Sequence, residues 1–287
     1  MTASSSGRPT TASSRFRRFL RRTLHPAVAR LEMAGAAVFF GLKPGDRPTH
    51  LPHFLVIGGQ KCGTTWLDSM LRFHPEVGLP RRRKEVHFFD GNYWRGLDWY
   101  RFHFRGAGGK VRGEITPAYS ILPVDRIREV RAVNPRMRLV LILRHPVERA
   151  WSHVEMGLVR NRRRAISDVP EAEFLRQIES AGVLDRSRYS VMLRNWLGEF
   201  PAEQLHIEFF ESIASEPRPL LTRILTHIGA DPALMPWDTM PLDQKLNANA
   251  SRTIPAAYRT RLGELLSDEL RALRETLPRP EVFKWEA

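Results

Sequence analysis

The stretch that most constrains this chain is "FLVIGGQKCGTTWLDSML", residues 54 to 71. An apolar run breaks at two glycines and an amphipathic pattern opens at Thr64 or Thr65, the signature of a strand, a tight loop and a helix. Gly58 and Gly63 have the glycine spacing of a nucleotide-binding loop, but Thr64 stands where that loop places its lysine, and Lys61 lies inside the loop instead. The free N–H groups of a helix start suit an anion, so a phosphate-like group is expected there. The displaced lysine leaves its identity open.

From Leu51 onward, short apolar runs alternate with helical patterns, which predicts an α/β fold: a P-loop-type central parallel sheet flanked by helices. Strands are expected at 54–57, 111–115, 139–143 and 205–210. Helices are expected at 65–73, 124–133, 146–158, 188–199, 219–228 and 255–276. The segment "VRNRRRAISDVP", 159–170, lacks apolar periodicity and reads as a mobile basic loop. The length of 287 residues suits one domain over 51–287 preceded by a basic arm over 1–50.

That arm has no acidic residue before Glu32 and is rich in Ser, Thr and Arg. It reads as a transit-type presequence, a basic arm for anionic lipid or a solvated tail. "LEMAGAAVFFGL" is too short and interrupted to span a bilayer and reads as a packed or surface-lying helix, and 44–52 as a linker. Lys and Arg number 45 against 31 Asp and Glu, a formal net charge of +14. Such a balance favours acidic partners: nucleic acid, an anionic membrane, an anionic glycan or a polyphosphorylated cofactor. The single cysteine, Cys62, excludes an internal disulfide and a Cys-based zinc site, and a reducing cytoplasm is the expected location.

Two further stretches carry chemistry. In "RLVLILRHPVERAWSHV", 138–154, a buried strand ends at Arg144, where an ATPase or GTPase commonly has a metal-holding aspartate. An arginine there attracts an anion directly, and Ser152 is positioned to add a hydroxyl; the bland alternatives are an Arg144–Glu148 ion pair and an ordinary surface serine. In "RRRKEVHFFDGNYW", 81–94, Glu85 and His87 point the same way if the segment is extended. Phe88, Phe89 and Tyr93 would then wall the carboxylate and raise its proton affinity, as a general base near neutral pH needs. The alternative is a Glu85–arginine pair beside a satisfied histidine.

Together these stretches resemble the sulfotransferases that use 3′-phosphoadenosine 5′-phosphosulfate (PAPS), especially the glycan branch with the heparan sulfate 3-O- and N-sulfotransferases. The resemblance implies that Lys61, Cys62, Gly63, Thr64 and Thr65 cradle the 5′-phosphosulfate, that Arg144 and Ser152 hold the 3′-phosphate, and that Glu85 is the base with His87 beside it. "EITPAYS", 114–120, is similar to the family's "TPAY" segment. Tyr189, Asn195 and Trp196, in "SRYSVMLRNWLGEFP", match its helix near substrate. Ser251, Arg252 and Thr253, in "NASRTIP", lie where the family places a loop over the nucleotide. The chain departs from the glycan enzymes at Ile115, where they often carry a lysine, and at "NASR", where they carry a lysine-glycine pair.

The implied activity is metal-independent, in-line sulfuryl transfer from PAPS to a hydroxyl or amine of a glycan, lipid or small metabolite by a soluble, bacterial-type enzyme. Nucleic acid is not expected as a partner; the arm offers a peripheral contact to an anionic membrane, and the oligomeric state is open. A basic nucleic-acid or membrane-binding protein with a vestigial loop, and a P-loop kinase, are the alternatives.

Overall fold

The computed structural model describes residues 50–81, 83–107, 110–242 and 253–285. The N-terminal arm, with the short helix expected in it, falls outside the described residues, except His50, as do Ser251 and Arg252.

Five strands form one parallel sheet in the order β2-β3-β1-β4-β5: β1 Phe54–Gly58, β2 Val77–Gly78, β3 Val111–Ile115, β4 Arg138–Leu143 and β5 Leu205–Phe209. All five residues of β1 are buried, which is what a strand covered on both faces requires of its sequence. Alternation then divides the side chains between two layers. Leu55 and Ile57 join Leu139, Leu141 and Leu143 in one core. Phe54 and Val56 join Ile115, Val140 and Ile142 in the other.

The principal helices are α1 Thr64–Leu71, α2 Leu97–Phe102, α3 Val124–Val133, α4 Pro146–Glu155, α5 Glu171–Ile178, α6 Tyr189–Leu197, α7 Pro217–Ile228 and α8 Ala256–Thr276. Buried residues of α1 and α7, among them Trp66, Leu67, Leu221 and Ile224, cover one face of the sheet. Ile127 and Val130 of α3, Met192 and Trp196 of α6 and Leu270 and Leu273 of α8 cover the other. A third cluster joins Trp151 and Val154 of α4 to Phe174 of α5 and Leu262 of α8.

The four expected strands and six expected helices are present with shifts of a few residues at their ends. Strand β2 is too short for alternation to reveal. The segment expected as a mobile loop is built instead: a π-helical turn, Met156–Arg160, continues α4, and Val159 and Val169 are buried. Arg162 and Arg164 both pair with Glu173 of α5. Apolar residues ten apart escape a helical or strand period, so the sequence showed only the charge.

Because the strands are parallel, the loop after β1 and the residue after β4 emerge at the same carboxyl edge, where open α/β sheets hold ligands. Lys61 and Arg144 come together for that reason.

Candidate active site

The loop after β1 turns in unusual backbone. Lys61 has φ 72° and Gly63 φ 84°. At Gly63 a Cβ would lie 2.2 Å from Ile213 Cδ1, so glycine is needed for both conformation and space. Helix α1 opens at Thr64 with no side-chain cap, leaving its first-turn N–H groups to a ligand. Gly59 N–H donates to the Ile142 carbonyl at 2.7 Å and Cys62 N–H to the Gly59 carbonyl at 3.2 Å, tying the loop to β4 and to itself.

Cys62 is fully buried, with Sγ 3.7 Å from Tyr189 Oη. Burial pushes its thiol up to about 11, so it anchors the loop by packing and is no nucleophile. Of the two threonines, Thr64 is buried, while Thr65 Oγ1 accepts a hydrogen bond from Lys84 Nζ at 3.1 Å.

Three cations, Lys61, Arg144 and Arg160, gather around the loop, with Glu155 and Glu148 among the acids near them. Burial, with Arg160 and Arg144 nearby, pulls the Lys61 ammonium down to about 8. Its Nζ lies 3.7 Å from the Met156 sulfur. Among the described residues, the Arg144 side chain makes long polar contacts, 3.5 Å from Nη1 to the Lys61 carbonyl and 3.6 Å from Nη2 to Glu148, and sits 4.6 Å from the centre of the Phe210 ring. Glu148 is held at 2.7 Å by Arg259, so the Arg144–Glu148 pairing is present but loose. Arg160 Nε is buried without a hydrogen-bond partner. Ser152 is half-buried on α4, which starts two residues after Arg144.

The second half of the site lies on 84–90. His87 adopts left-handed backbone, φ 54° and ψ 37°, and so the segment is not extended as expected. The turn still brings the pair together: His87 Nε2 is 3.2 Å from Glu85 Oε2. His87 Nδ1 is 2.7 Å from Asp90 Oδ2, which makes Asp90 a third member that sequence reading missed, although the spacing of three within one turn was its signal.

Phe88 and Phe89 do not wall the carboxylate. They are buried in the core, Phe88 stacked on Tyr100 at 4.3 Å, and Tyr93 hydrogen-bonds Glu129. The Glu85 side chain is 36% exposed and its carboxyl is held below the ordinary range, chiefly by the His87 hydrogen bond with Lys84 adding to it, so the expected rise in proton affinity is corrected to a fall. Asp90 and Glu85 together raise His87 to about 10, an imidazolium at neutral pH. Lys84 Nζ, 3.4 Å from Glu85 Oε1 and 3.1 Å from Thr65 Oγ1, ties this group to the start of α1. Its adjacency to Glu85 was visible in the sequence, its reach to Thr65 was not.

Of the three residues expected on the helix near substrate, two are core residues. Tyr189 is fully buried, and Trp196 is 1% exposed with Nε1 donating to the Ser120 carbonyl at 3.3 Å. Tyr189 meets the loop at Cys62, neither ring is exposed to a substrate in this structure, and Asn195 is half-buried. Thr253 is exposed. Ile115, where the glycan enzymes often carry a lysine, is a core residue. Among the described residues, no group of three or more His, Cys, Asp or Glu is arranged to hold a metal ion.

A parallel sheet with a glycine loop, an uncapped helix start and loosely paired cations at its carboxyl edge is the arrangement of a P-loop-like fold, in which such an edge suits an anion. Residues 51–259 match the family described as the sulfotransferase domain, and the chain belongs to that family. The heparan sulfate glucosamine 3-O-sulfotransferase 3B1 of Mus musculus is 33% identical over 194 residues, 64% of this chain and 48% of the mouse protein. The 3-O-sulfotransferase 6 of the same animal is 31% identical over 208 residues, 70% of this chain and 57% of that one. The chain thus spans about half the length of these curated relatives. The crystal structure of a sulfotransferase from Alicyclobacillus acidocaldarius shares the fold, with TM-score 0.62 and 24% identity over 80% of this chain and 97% of that one.

Proposed function

We propose that this protein moves a sulfuryl group from PAPS to a hydroxyl or amine of an acceptor, with Glu85 as the base. The observation that carries the reading is the convergence on the loop of three half-buried cations, Lys61, Arg144 with only a loose Glu148 contact, and Arg160 with its Nε orphaned, tied through Lys84 to the Glu85 carboxylate. Burying charge without a partner is costly, and an anionic ligand offsets that cost. The orphaned Arg160 Nε and the uncapped start of α1 fit the anionic groups of PAPS.

In this reading, Lys61 and the N–H groups of 63–65 bind the 5′-phosphosulfate in a loop that Cys62 shapes, and Arg144 and Ser152 bind the 3′-phosphate. Ser251, Arg252 and Thr253 are proposed to close over the nucleotide. PAPS supplies an activated sulfuryl group on a phosphate leaving group. Glu85 accepts the proton that the acceptor hydroxyl loses as its oxygen bonds sulfur, and Lys61 neutralises the charge gathering on the leaving oxygen. His87, already charged, cannot take that proton at neutral pH; it orients Glu85 and donates to it. Arg144 at the end of β4, in place of an aspartate, favours this reading over a metal-dependent kinase.

The names of the relatives favour a glycan acceptor; a lipid or small metabolite fits the same chemistry. No helix of the described residues is long and apolar enough to cross a membrane. The proposed location is the reducing cytoplasm. Sulfate transfer from radiolabelled PAPS to heparan sulfate, in EDTA and in Mg²⁺, tests the reading: transfer unaffected by EDTA supports it. Failure to bind PAP, the desulfated cofactor, in calorimetry overturns it.

A further inference from the structure

We propose that Glu114, fully buried on β3, is a positioning residue that fixes the Glu85–His87–Asp90 group by holding the backbone between its members; this rests on the reading of Glu85 as the base.

Glu114 is an acceptor for four donors. Its Oε1 takes the hydroxyls of Tyr100 at 2.6 Å and Tyr119 at 3.0 Å. Its Oε2 takes Thr116 Oγ1 at 2.8 Å and Val86 N–H at 3.2 Å. A carboxylate has lone pairs for all four, whereas an amide in its place would have to turn its NH₂ toward one pair of donors.

The network ends on the chain that carries the candidate base. Val86, which donates to Glu114 and Thr116 Oγ1, is the residue between Glu85 and His87. Phe88 and Phe89 N–H both donate to Tyr119 Oη, at 2.7 and 3.3 Å, and lie between His87 and Asp90. With two N–H groups on its oxygen, Tyr119 has only Glu114 left for its own proton. Asn92 Nδ2 closes the far side on the Val86 carbonyl at 3.0 Å.

Such a clamp has a task here. His87 has left-handed backbone, which a residue with a Cβ adopts at a cost, and the turn must be held for its ring to reach both carboxylates. Phe88 and Phe89, packed in the core, provide the apolar half of the anchorage, and Glu114 with Tyr119 the polar half. Burial pushes the Glu114 carboxyl above its ordinary value, and the four donors offset only part of that rise. A buried network with every member satisfied is rigid, as a positioning device needs to be.

The test uses Tyr119→Phe, which keeps the ring and removes the hydroxyl, with Thr116→Val, Thr116→Ser and Glu114→Gln beside it. Three quantities are read: amide hydrogen exchange at Val86, Phe88 and Phe89, the His87 titration by NMR, and kcat and KM for transfer from PAPS to heparan sulfate against calorimetric PAP affinity. In Tyr119→Phe, faster exchange at Phe88 and Phe89, a His87 pKa falling from about 10 toward 6.5, and kcat down on the order of 10 to 10²-fold with PAP affinity kept are expected. Thr116→Ser should behave as wild type and Thr116→Val should not. If exchange rises while the His87 titration and kcat stay put, the network only stabilises the fold and the proposal falls. Should Glu114→Gln fail to fold, Tyr119→Phe decides. Should wild type transfer no sulfate, the function proposed above fails on its own, while exchange and the His87 titration still decide the clamp.

Discussion

Lys61 and His87 stand on two segments tied together by Lys84, yet their surroundings drive them in opposite directions: burial and neighbouring arginines bring the lysine down to about 8, whereas two carboxylates bring the histidine up to about 10. The loop side holds cations that crowd one another and meet their acids only at long range, as Arg144 meets Glu148 at 3.6 Å, and the Glu85 side has already paired its charges internally. An anion entering the loop removes a repulsion. An acceptor entering the other side must displace or share existing pairs. On the proposed reading, the loop serves affinity for the donor, and the Glu85 group a fixed geometry that changes little on binding.

The largest test of this contrast is Glu85→Gln. The amide keeps the shape but takes no proton, and loss of a general base costs about 10² to 10⁴ in rate. Single-turnover transfer from PAPS should fall by that much while PAP affinity is retained. Near-normal transfer would remove Glu85 as the base, and loss of PAP affinity as well would show the two sides coupled through Lys84.

Next in size is Arg144→Ala. Charge-assisted bonds to phosphate are worth roughly 1.5 to 3 kcal/mol, so PAP should bind at least about tenfold more weakly with the fold intact. The loose Glu148 contact offers little compensation. Unchanged affinity by calorimetry would place the 3′-phosphate elsewhere.

Much of the loop side was legible in the sequence, because glycine spacing, an apolar strand and an arginine at a strand's end are local features, and a parallel sheet gathers them at one edge. The Glu85 side was legible in membership but wrong in its electrostatics. Glu85 and His87 were identified, but the aromatic run beside them turned into the core at the left-handed His87, leaving the carboxylate to charged partners. The burial of Tyr189 and Trp196 was hidden for a related reason: a helix pattern shows which face is apolar but not whether a tyrosine on it ends in core or cleft. Arg160 was missed because nothing local distinguishes it from the arginines after it.

A third test concerns protons. With Lys61 at about 8 in the free protein and a phosphate raising it on binding, PAP binding at pH 8.5 should take up a fraction of a proton. Calorimetry in buffers of different ionisation enthalpy measures it. Affinity should weaken as pH rises from about 8 toward the ordinary lysine range. Binding with no proton uptake would mean that Lys61 does not meet the anion.

The smallest effect belongs to the self-paired side and concerns stability. His87 has a folded pKa of about 10 against 6.5 unfolded, so its contribution is fully present below 6.5 and is lost as pH rises through 10. Glu85 has the opposite sign: its folded pKa lies below 4.5, so its contribution is present above 4.5 and is lost as pH falls through the folded value. The advantage of wild type over His87→Gln should therefore be greatest between about 4.5 and 6.5 and shrink toward pH 10. The His87 side chain is 40% exposed, so solvent screening limits each pair to about 0.2 to 1 kcal/mol, well below what the shift alone would suggest. Urea melts of both proteins at pH 5.5, 7.5 and 9.5 measure it. A difference that stays constant across these values would mean that His87 acts by shape and not by charge, and the contrast with Lys61 would fail on this side.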